Sequence, residues 1–331
     1  MPELRKDPIV NRWVIISPER AARPQGPAPP RPAATRNDPC PFCAGNEQET
    51  PPAVLTFPAD NATVNSAWSV RVVPNKYPAL SDGIDSARRS EIYEARSGIG
   101  VHEVIIESPE HVTQSQKLSD EQFTRVLRAF HDRIHSLRHD ARWRQVLVYK
   151  NQGAEVGATL DHVHAQLIAL PMVPRDVADE LAGAKRHYDM SSRCIYCDIA
   201  AEELRQRGRL VLEEERFIVF CPFASRFAYE MWILPRHHGA FFEFEPEEKL
   251  SDLARILRQA FVRLDRRLGN PPFNYIIHSS PLCANAEPYY HWHIEILPKL
   301  AQVAGFEWGS GWYINTVEPE HAAAALSERM G

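Results

Sequence analysis

One order of motifs occurs twice along this chain. In "DPCPFCAGN", Cys40 and Cys43 precede an apolar strand, "VHEVIIESPEHV", that ends in Pro109 and His111. A helix follows in "LSDEQFTRVLRAFHDRIHSLRHD". There Ser119 and Gln122 have the spacing of a capping box, and Phe123, Val126, Leu127, Phe130, Ile134 and Leu137 form one apolar face. Strand "RQVLVYKN" comes next, and then "LDHVHAQLIAL" with His162 and His164. The second pass starts at Cys194 and Cys197 in "SSRCIYCDI". It continues through "YEMWILPRHH", ending in Pro235 and His238, to a helix from about Pro246. Leu250, Leu253, Ile256, Leu257, Phe261 and Leu264 line that helix, and Gly269 stops it. Strand "FNYIIHSS" and then "YYHWHIEILP", with His291 and His293, complete the repeat. His111 lies 51 positions before His162, and His238 lies 53 before His291. Chance does not readily give this order twice, so the chain is read as a duplicated domain.

The repeat predicts an α+β fold in two like halves, each an antiparallel sheet with one long helix. The boundary is placed near residues 175–190, with halves of 1–180 and 181–331. A length of 331 residues suits two domains, and a hydrophobic content of 44% supplies their cores. The net charge of −5 and the absence of K/R-rich runs argue against nucleic acid as a partner. No apolar run is long enough to cross a membrane. The N-terminal "MPELRKDPIVNRW" lacks the apolar stretch of a secretory signal, so the expected compartment is the cytoplasm.

In a reducing compartment paired thiolates more often hold a metal than a disulfide. A redox C-x-x-C opens a helix after a strand, whereas "CPFCAGNEQETPP" runs into loop residues. Each half then offers a Cys2His2 zinc site: Cys40, Cys43, His111 and His162 in the first, Cys194, Cys197, His238 and His291 in the second. His238 is taken in preference to its neighbour His237. Four N/S ligands close a tetrahedron, so two structural zincs are expected per chain.

This assignment uses the first histidine of each H-x-H and leaves His164 and His293 free. Alternation in an apolar run makes Leu160–Leu170 a strand, with His162, His164 and Gln166 on one face. An imidazole is largely neutral at pH 7 and offers a lone pair, so His164 is a candidate nucleophile. Upstream, "KNQGAEVGATLDH" carries Gly153, Gly157 and Thr159, where small residues let backbone N–H groups approach an anion. Gln166 has Glu295 as its counterpart. A phosphoryl group gaining charge favours an amide donor over a carboxylate, which points to the first half as the catalytic one.

The set "CPFC", "SPEH", "NQGAEVGATLDHVHAQ", "NRWVIISPERAARP" and "VVPNKYPAL" closely resembles the galactose-1-phosphate uridylyltransferase family of the histidine-triad superfamily, over nearly the whole chain. The resemblance implies an enzyme that attacks the α-phosphorus of a nucleotide sugar and passes the nucleotidyl group to a sugar phosphate or phosphate. By this likeness His164 is the nucleophile, Gln166 holds the phosphoryl oxygens, and Asn151, Gly157 and Thr159 line the phosphate loop. Arg20 and Arg23 match phosphate-facing arginines, and Asn75 matches a residue near the nucleoside. Departures are Asp161 and Val163 where prolines are usual, and Lys76 where many members carry an acid. The two Cys2His2 sets and "GFEWGSGWYINTVEPE" resemble the two-zinc branch, which includes ADP-glucose phosphorylases. A homodimer is implied, because in the family this segment reaches the neighbouring subunit's site. The expectation is UMP transfer between hexose 1-phosphates, in galactose metabolism, through nucleotidyl-His164. AMP transfer from ADP-glucose to phosphate is the alternative, and a zinc-stabilised binding module without turnover is the remote one.

Overall fold

The structure, a computed structural model, describes residues 2–22, 39–59, 66–84 and 86–328. A hairpin of β1 (Glu3–Lys6) and β2 (Trp13–Ile16) opens the chain. The first half continues through β3 (Leu55–Pro58), β4 (Trp68–Pro74), a small projecting hairpin of β5 (Ala87–Arg89) and β6 (Glu94–Arg96), and β7 (Val101–Ile106). Helix α1 (Asp120–Arg138), β8 (Gln145–Gln152) and β9 (His164–Leu170) complete it. Helices α2 (Arg175–Ser191) and α3 (Ile195–Gln206) lead into β10 (Leu210–Glu213), β11 (Phe217–Phe220) and β12 (Met231–Pro235). Then come α4 (Glu247–Leu268), β13 (Phe273–His278), β14 (His293–Pro298), α5 (Gly305–Ser310), β15 (Tyr313–Asn315) and α6 (Pro319–Ser327).

Ten strands form one antiparallel sheet in the order β10-β11-β12-β14-β13-β8-β9-β7-β4-β3. Read outward from the centre, each half repeats the other: β8, β9, β7, β4, β3 against β13, β14, β12, β11, β10. The halves meet where β13 pairs with β8, with Asn274 opposite Asn151 and Ile276 opposite Tyr149. The predicted duplicated fold is therefore present, and its two sheets are fused into one.

The apolar faces read from the sequence explain the layering. All six apolar positions predicted on α1 are buried, as are all six on α4, where they join one core with Val148, Leu167, Tyr275 and Ile294 from one side of the sheet. The two helices lie together on that side, with Phe123 and Phe261 at 6.1 Å between ring centres. Both helix ends follow the sequence. Ser119 accepts the Gln122 backbone N–H at 3.1 Å, and Gly269 caps α4 at φ +69°. The Gln122 side chain does not return to its own helix start. It donates to the carbonyls of Ser69 and Glu107, both at 2.7 Å, and so ties α1 to the sheet.

Two segments depart from the sequence reading. Strand β9 begins at His164 rather than before His162, so His162 stands on the approach to the strand. The β1–β2 hairpin joins the second half, with β2 running parallel to β15, and Ile9 packs among Ile195, Tyr196 and Trp232. Gly183 on α2 makes this possible, since a Cβ there would stand 1.9 Å from the Ile9 carbonyl oxygen.

Phe261 links both helices to the sheet, with its ring 4.8 Å from Phe273 and 5.7 Å from Tyr275. Phe261→Ala should cost about 3–5 kcal/mol. A urea-unfolding midpoint close to wild type would show that the two halves do not share a core there.

Candidate active site

The side of the sheet away from α1 and α4 carries the candidate chemistry, and α2 and α3 cover only its second half there. Because side chains alternate along a strand, β9 presents His164 and Gln166 on this side, β8 presents Tyr149 and Asn151, and β7 presents His102 and Val104. The register sets Gln166 between Val104 and Tyr149. A cleft at the end of this row is lined by Asn151, Gly153, Ala158, Leu160, Asp161 and His164, among others.

The histidine tautomers can be read from their partners. His164 Nδ1 lies 2.7 Å from the carbonyl oxygen of His162, so Nδ1 carries the proton and Nε2 keeps its lone pair. Burial pushes the ring down to about 4, and it is neutral at pH 7. His162 donates from Nε2 to the Ser108 carbonyl at 2.8 Å. Its Nδ1 lone pair therefore faces the sulfurs of Cys40, at 3.5 Å, and Cys43, at 3.7 Å. His111 Nδ1 stands 3.5 Å from Cys43 Sγ.

The four donor atoms of Cys40, Cys43, His111 and His162 lie within 4.8 Å of one another, and the same holds for Cys194, Cys197, His238 and His291. A tetrahedral zinc with Zn–S near 2.3 Å and Zn–N near 2.0 Å sets sulfur and nitrogen about 3.5 Å apart. Cys197 Sγ stands 3.3 Å from His238 Nδ1 and 3.5 Å from His291 Nδ1. Both donor sets fit zinc in number, type and spacing. His237 turns away to Glu245, at 3.0 Å, while the residue added between Pro235 and His238 carries His238 onto the sulfurs. The two C-x-x-C pairs differ locally. The first sits in a turn, as expected, whereas Cys194 caps α3 and puts Cys197 in its first turn.

The remaining predicted residues are placed as follows. Gly153 and Gly157 bracket a short 3-10 turn at φ +102° and +95°, backbone that favours glycine. A Cβ at Gly153 would also meet Pro272 at 2.9 Å. Thr159 is exposed on the bend after this turn. Asn151 accepts from Asn274 Nδ2 at 2.7 Å, so a residue of the second half holds it. Asn75, just past β4, takes the Tyr77 backbone N–H on its Oδ1 at 2.8 Å, and its Nδ2 is 3.1 Å from His102 Nε2. Arg20 is exposed on the turn Pro18–Ala22. Arg23 lies outside the described residues. Sequence reasoning missed His102, Tyr149 and Asn274. The Gln166 carboxamide oxygen is 2.8 Å from His102 Nε2 and accepts from Tyr149 Oη at 3.1 Å.

The corresponding place in the second half is closed. His293 stacks between Trp232, at 5.0 Å, and His278, at 4.6 Å. Trp232 stands opposite Glu295, where Val104 stands opposite Gln166. Helix α2 brings Glu180 onto His278 Nδ1 at 3.3 Å and Tyr290 Oη at 2.9 Å. Glu295 holds Arg226 at 2.5 Å and His278 Nε2 at 3.5 Å. Donor atoms of Glu180, His278 and His293 converge, yet both His278 nitrogens already face carboxylates. Those carboxylates outweigh burial and raise His278 to about 10.

Comparisons with known proteins agree with this geometry. Residues 1–174 match the family described as galactose-1-phosphate uridyl transferase, N-terminal domain, and residues 99–331 match a domain of unknown function. The chain is 37% identical to ADP-glucose phosphorylase of Arabidopsis thaliana, over 99% of this chain and 93% of that one. It is 28% identical to galactose-1-phosphate uridylyltransferase of Thermotoga maritima, over 99% and 98%. The crystal structure of the Arabidopsis thaliana ADP-glucose phosphorylase with bound ADP-glucose superposes with a TM-score of 0.84 at 36% identity, covering all of both chains. A uridylyltransferase structure gives 0.76 at 26% identity, over 99% and 98%. Fold and site together define a histidine-triad-like enzyme of nucleotidyl transfer. The chain belongs to the galactose-1-phosphate uridylyltransferase family, which also takes in ADP-glucose phosphorylases. With membership in an enzyme family, a binding module without turnover is set aside. Among the described residues no helix is long and apolar enough to cross a membrane.

Two outcomes follow. Metal analysis should find two zincs per chain, and Cys40→Ser should lower thermal stability, since a structural zinc contributes folding free energy directly; slower turnover at unchanged stability would contradict a structural role. His278→Gln leaves Glu180 without its cation, while Glu295 keeps Arg226, and should cost about 3–5 kcal/mol near neutral pH. A raised folded pKa contributes stability that is complete below about 6.5, the unfolded value, and is lost as pH rises through about 10. Urea melts of wild type and variant should therefore converge towards pH 10, and a gap that does not change with pH would refute the charge argument.

Proposed function

We propose that this enzyme transfers the AMP group of ADP-glucose to phosphate through adenylyl-His164. Supporting this over UMP transfer is the full-length similarity to ADP-glucose phosphorylase, at 37% identity against 28% for the Thermotoga maritima uridylyltransferase. UMP transfer between hexose 1-phosphates, the first expectation from sequence, is the second reading and uses the same chemistry.

The steps follow from the tautomers. His164 Nε2 attacks the α-phosphorus, the bond from that phosphorus to the bridging oxygen breaks, and glucose 1-phosphate leaves. An oxygen of inorganic phosphate then attacks the same phosphorus, the P–N bond breaks and ADP leaves. Two displacements at one site let the two phosphates take turns there. The Nδ1–H bond to the His162 carbonyl stabilises the positive charge the ring gains when Nε2 is substituted. The Gln166 amide group donates to the phosphoryl oxygens as their charge grows. Gly157, Thr159 and Asn151 line the phosphate loop, Arg20 and Arg23 serve the phosphates from the N-terminal segment, and Asn75 serves the nucleoside.

Residues 1–180 form the catalytic half in this reading and residues 181–331 the supporting one. Each half holds one zinc, which fixes the strand beside it and leaves no open position for chemistry. The chain pairs as a homodimer, a reading supported by Phe306 and Trp308, which stand 45% and 79% exposed near the C-terminus.

Incubation with α-phosphate-labelled ADP-glucose in the absence of phosphate should leave acid-labile, base-stable label on the protein, discharged as ADP when phosphate is added. His164→Asn should take no label, whereas His293→Asn, sealed behind Trp232 and Glu180, should keep most of the wild-type rate. Faster labelling from UDP-glucose, discharged by a hexose 1-phosphate, would establish the uridylyl reading instead.

A further inference from the structure

We propose that His102 is a positioning residue for nucleotidyl transfer: it fixes which end of the Gln166 carboxamide faces the phosphoryl group. This rests on the reading of His164 and Gln166 given above.

A carboxamide has two ends of nearly the same shape and opposite use. The NH2 end donates to a charged phosphoryl oxygen, and the carbonyl end repels it. The torsion that exchanges the two ends is broad and roughly two-fold, so an unrestrained glutamine presents either end. Here the Gln166 oxygen faces away from that task, 2.8 Å from His102 Nε2 and 3.1 Å from Tyr149 Oη.

The two contacts do not restrain equally. A tyrosine hydroxyl rotates and can donate or accept, so Tyr149 tolerates either end of the amide. His102 cannot. Its Nδ1 accepts the backbone N–H of Ala79 at 3.1 Å, and a neutral imidazole with an acceptor at Nδ1 carries its proton at Nε2. Asn75 Nδ2 also stands 3.1 Å from this Nε2 and can only donate, so an amide turned the other way would leave the N–H facing two NH2 groups and no acceptor. The chain of restraint thus begins at a backbone group that can only donate and leaves the Gln166 NH2 as the end turned away from His102. His102 touches no reacting atom and acts through Gln166.

The second half supports the pairing of these positions. By strand register, Trp232 corresponds to Val104 and Glu295 to Gln166, so Glu230, two residues before Trp232, corresponds to His102. Arg226 Nη2 binds both Glu230, at 3.3 Å, and Glu295, at 2.5 Å. In each half the side chain at the Gln166 position is held from the His102 position, by a neutral pair in one and through a buried cation in the other.

The test is a double-mutant cycle on single-turnover formation of labelled nucleotidyl-His164 from ADP-glucose. Gln166→Ala should cost roughly 10²–10³ in rate. His102→Ala should cost on the order of tenfold or more, less than Gln166→Ala, with little change in the ADP-glucose concentration at half-maximal rate. Applied on top of Gln166→Ala, His102→Ala should change the rate by less than about twofold, because the group it positions is gone. Should His102→Ala be too unstable to purify, His102→Gln carries the same cycle. Equal losses in both backgrounds would show that His102 supports the strand generally and would overturn the inference. An unchanged rate in Gln166→Ala alone would overturn the reading of Gln166 itself, whatever His102 does.

Discussion

The pairing of β8 with β13 is the constraint on which the rest of the molecule depends. It turns two half-sheets into one, so α1 and α4 find a single continuous surface to cover, and the apolar side chains of both halves become one core. It also settles which side of the sheet lies away from α1 and α4, where α2 and α3 cover the second half alone. Because side chains alternate, that choice sends His102, Tyr149, Asn151, His164 and Gln166 to the open side together. The register places Asn274 opposite Asn151. Asn151, which lines the cleft of the first half, is thus held by an amide from the second.

The same register shows why two equal halves need not give two equal sites. At matched positions the first half carries Val104, Tyr149, Asn151 and Gln166, and the second carries Trp232, Ile276, His278 and Glu295. Trp232 fills over His293 the space that Val104 leaves over its own strand. Once that space is closed, Glu180, His278, Glu295, Arg226 and Glu230 form a buried ionic network, which is tolerable only because each charge faces an opposite one. A carboxylate in place of Gln166 fits such a network and repels a phosphoryl group. Burial and charge therefore point the same way in each half: open and neutral in one, closed and ionic in the other.

Much of this was legible in the sequence, and the limit has a physical cause. The helices were readable because their apolar faces recur at helical spacing, and the metal quartets because Cys and His are scarce and recur in the same order. His102 was not readable: it lies 64 positions from Gln166, on a neighbouring strand, and only the register of β7 against β9 brings them together. Tyr149 and Asn274 escaped for the same reason. Gln122 had the spacing of a capping box, yet its side chain found two sheet carbonyls that a local reading cannot foresee. The start of β9 was set too early because His162 follows the alternation of the strand, while the sulfurs and the Ser108 carbonyl draw it out of the ladder.

His162 and His164 also explain why the motif is H-x-H and not two unrelated histidines. The backbone carbonyl of the first receives Nδ1–H of the second, at 2.7 Å in the first half and 3.0 Å between His291 and His293 in the other. A metal at Nδ1 of the first histidine therefore holds the peptide that selects the tautomer of the second. Spacing of two is what permits this, since it sets both rings on the same side of the backbone with one carbonyl between them. A metal held there would lend no charge to the reacting atoms. Its part would be to keep one carbonyl still, and that carbonyl, 2.7 Å from Nδ1, sets which nitrogen of His164 carries the lone pair.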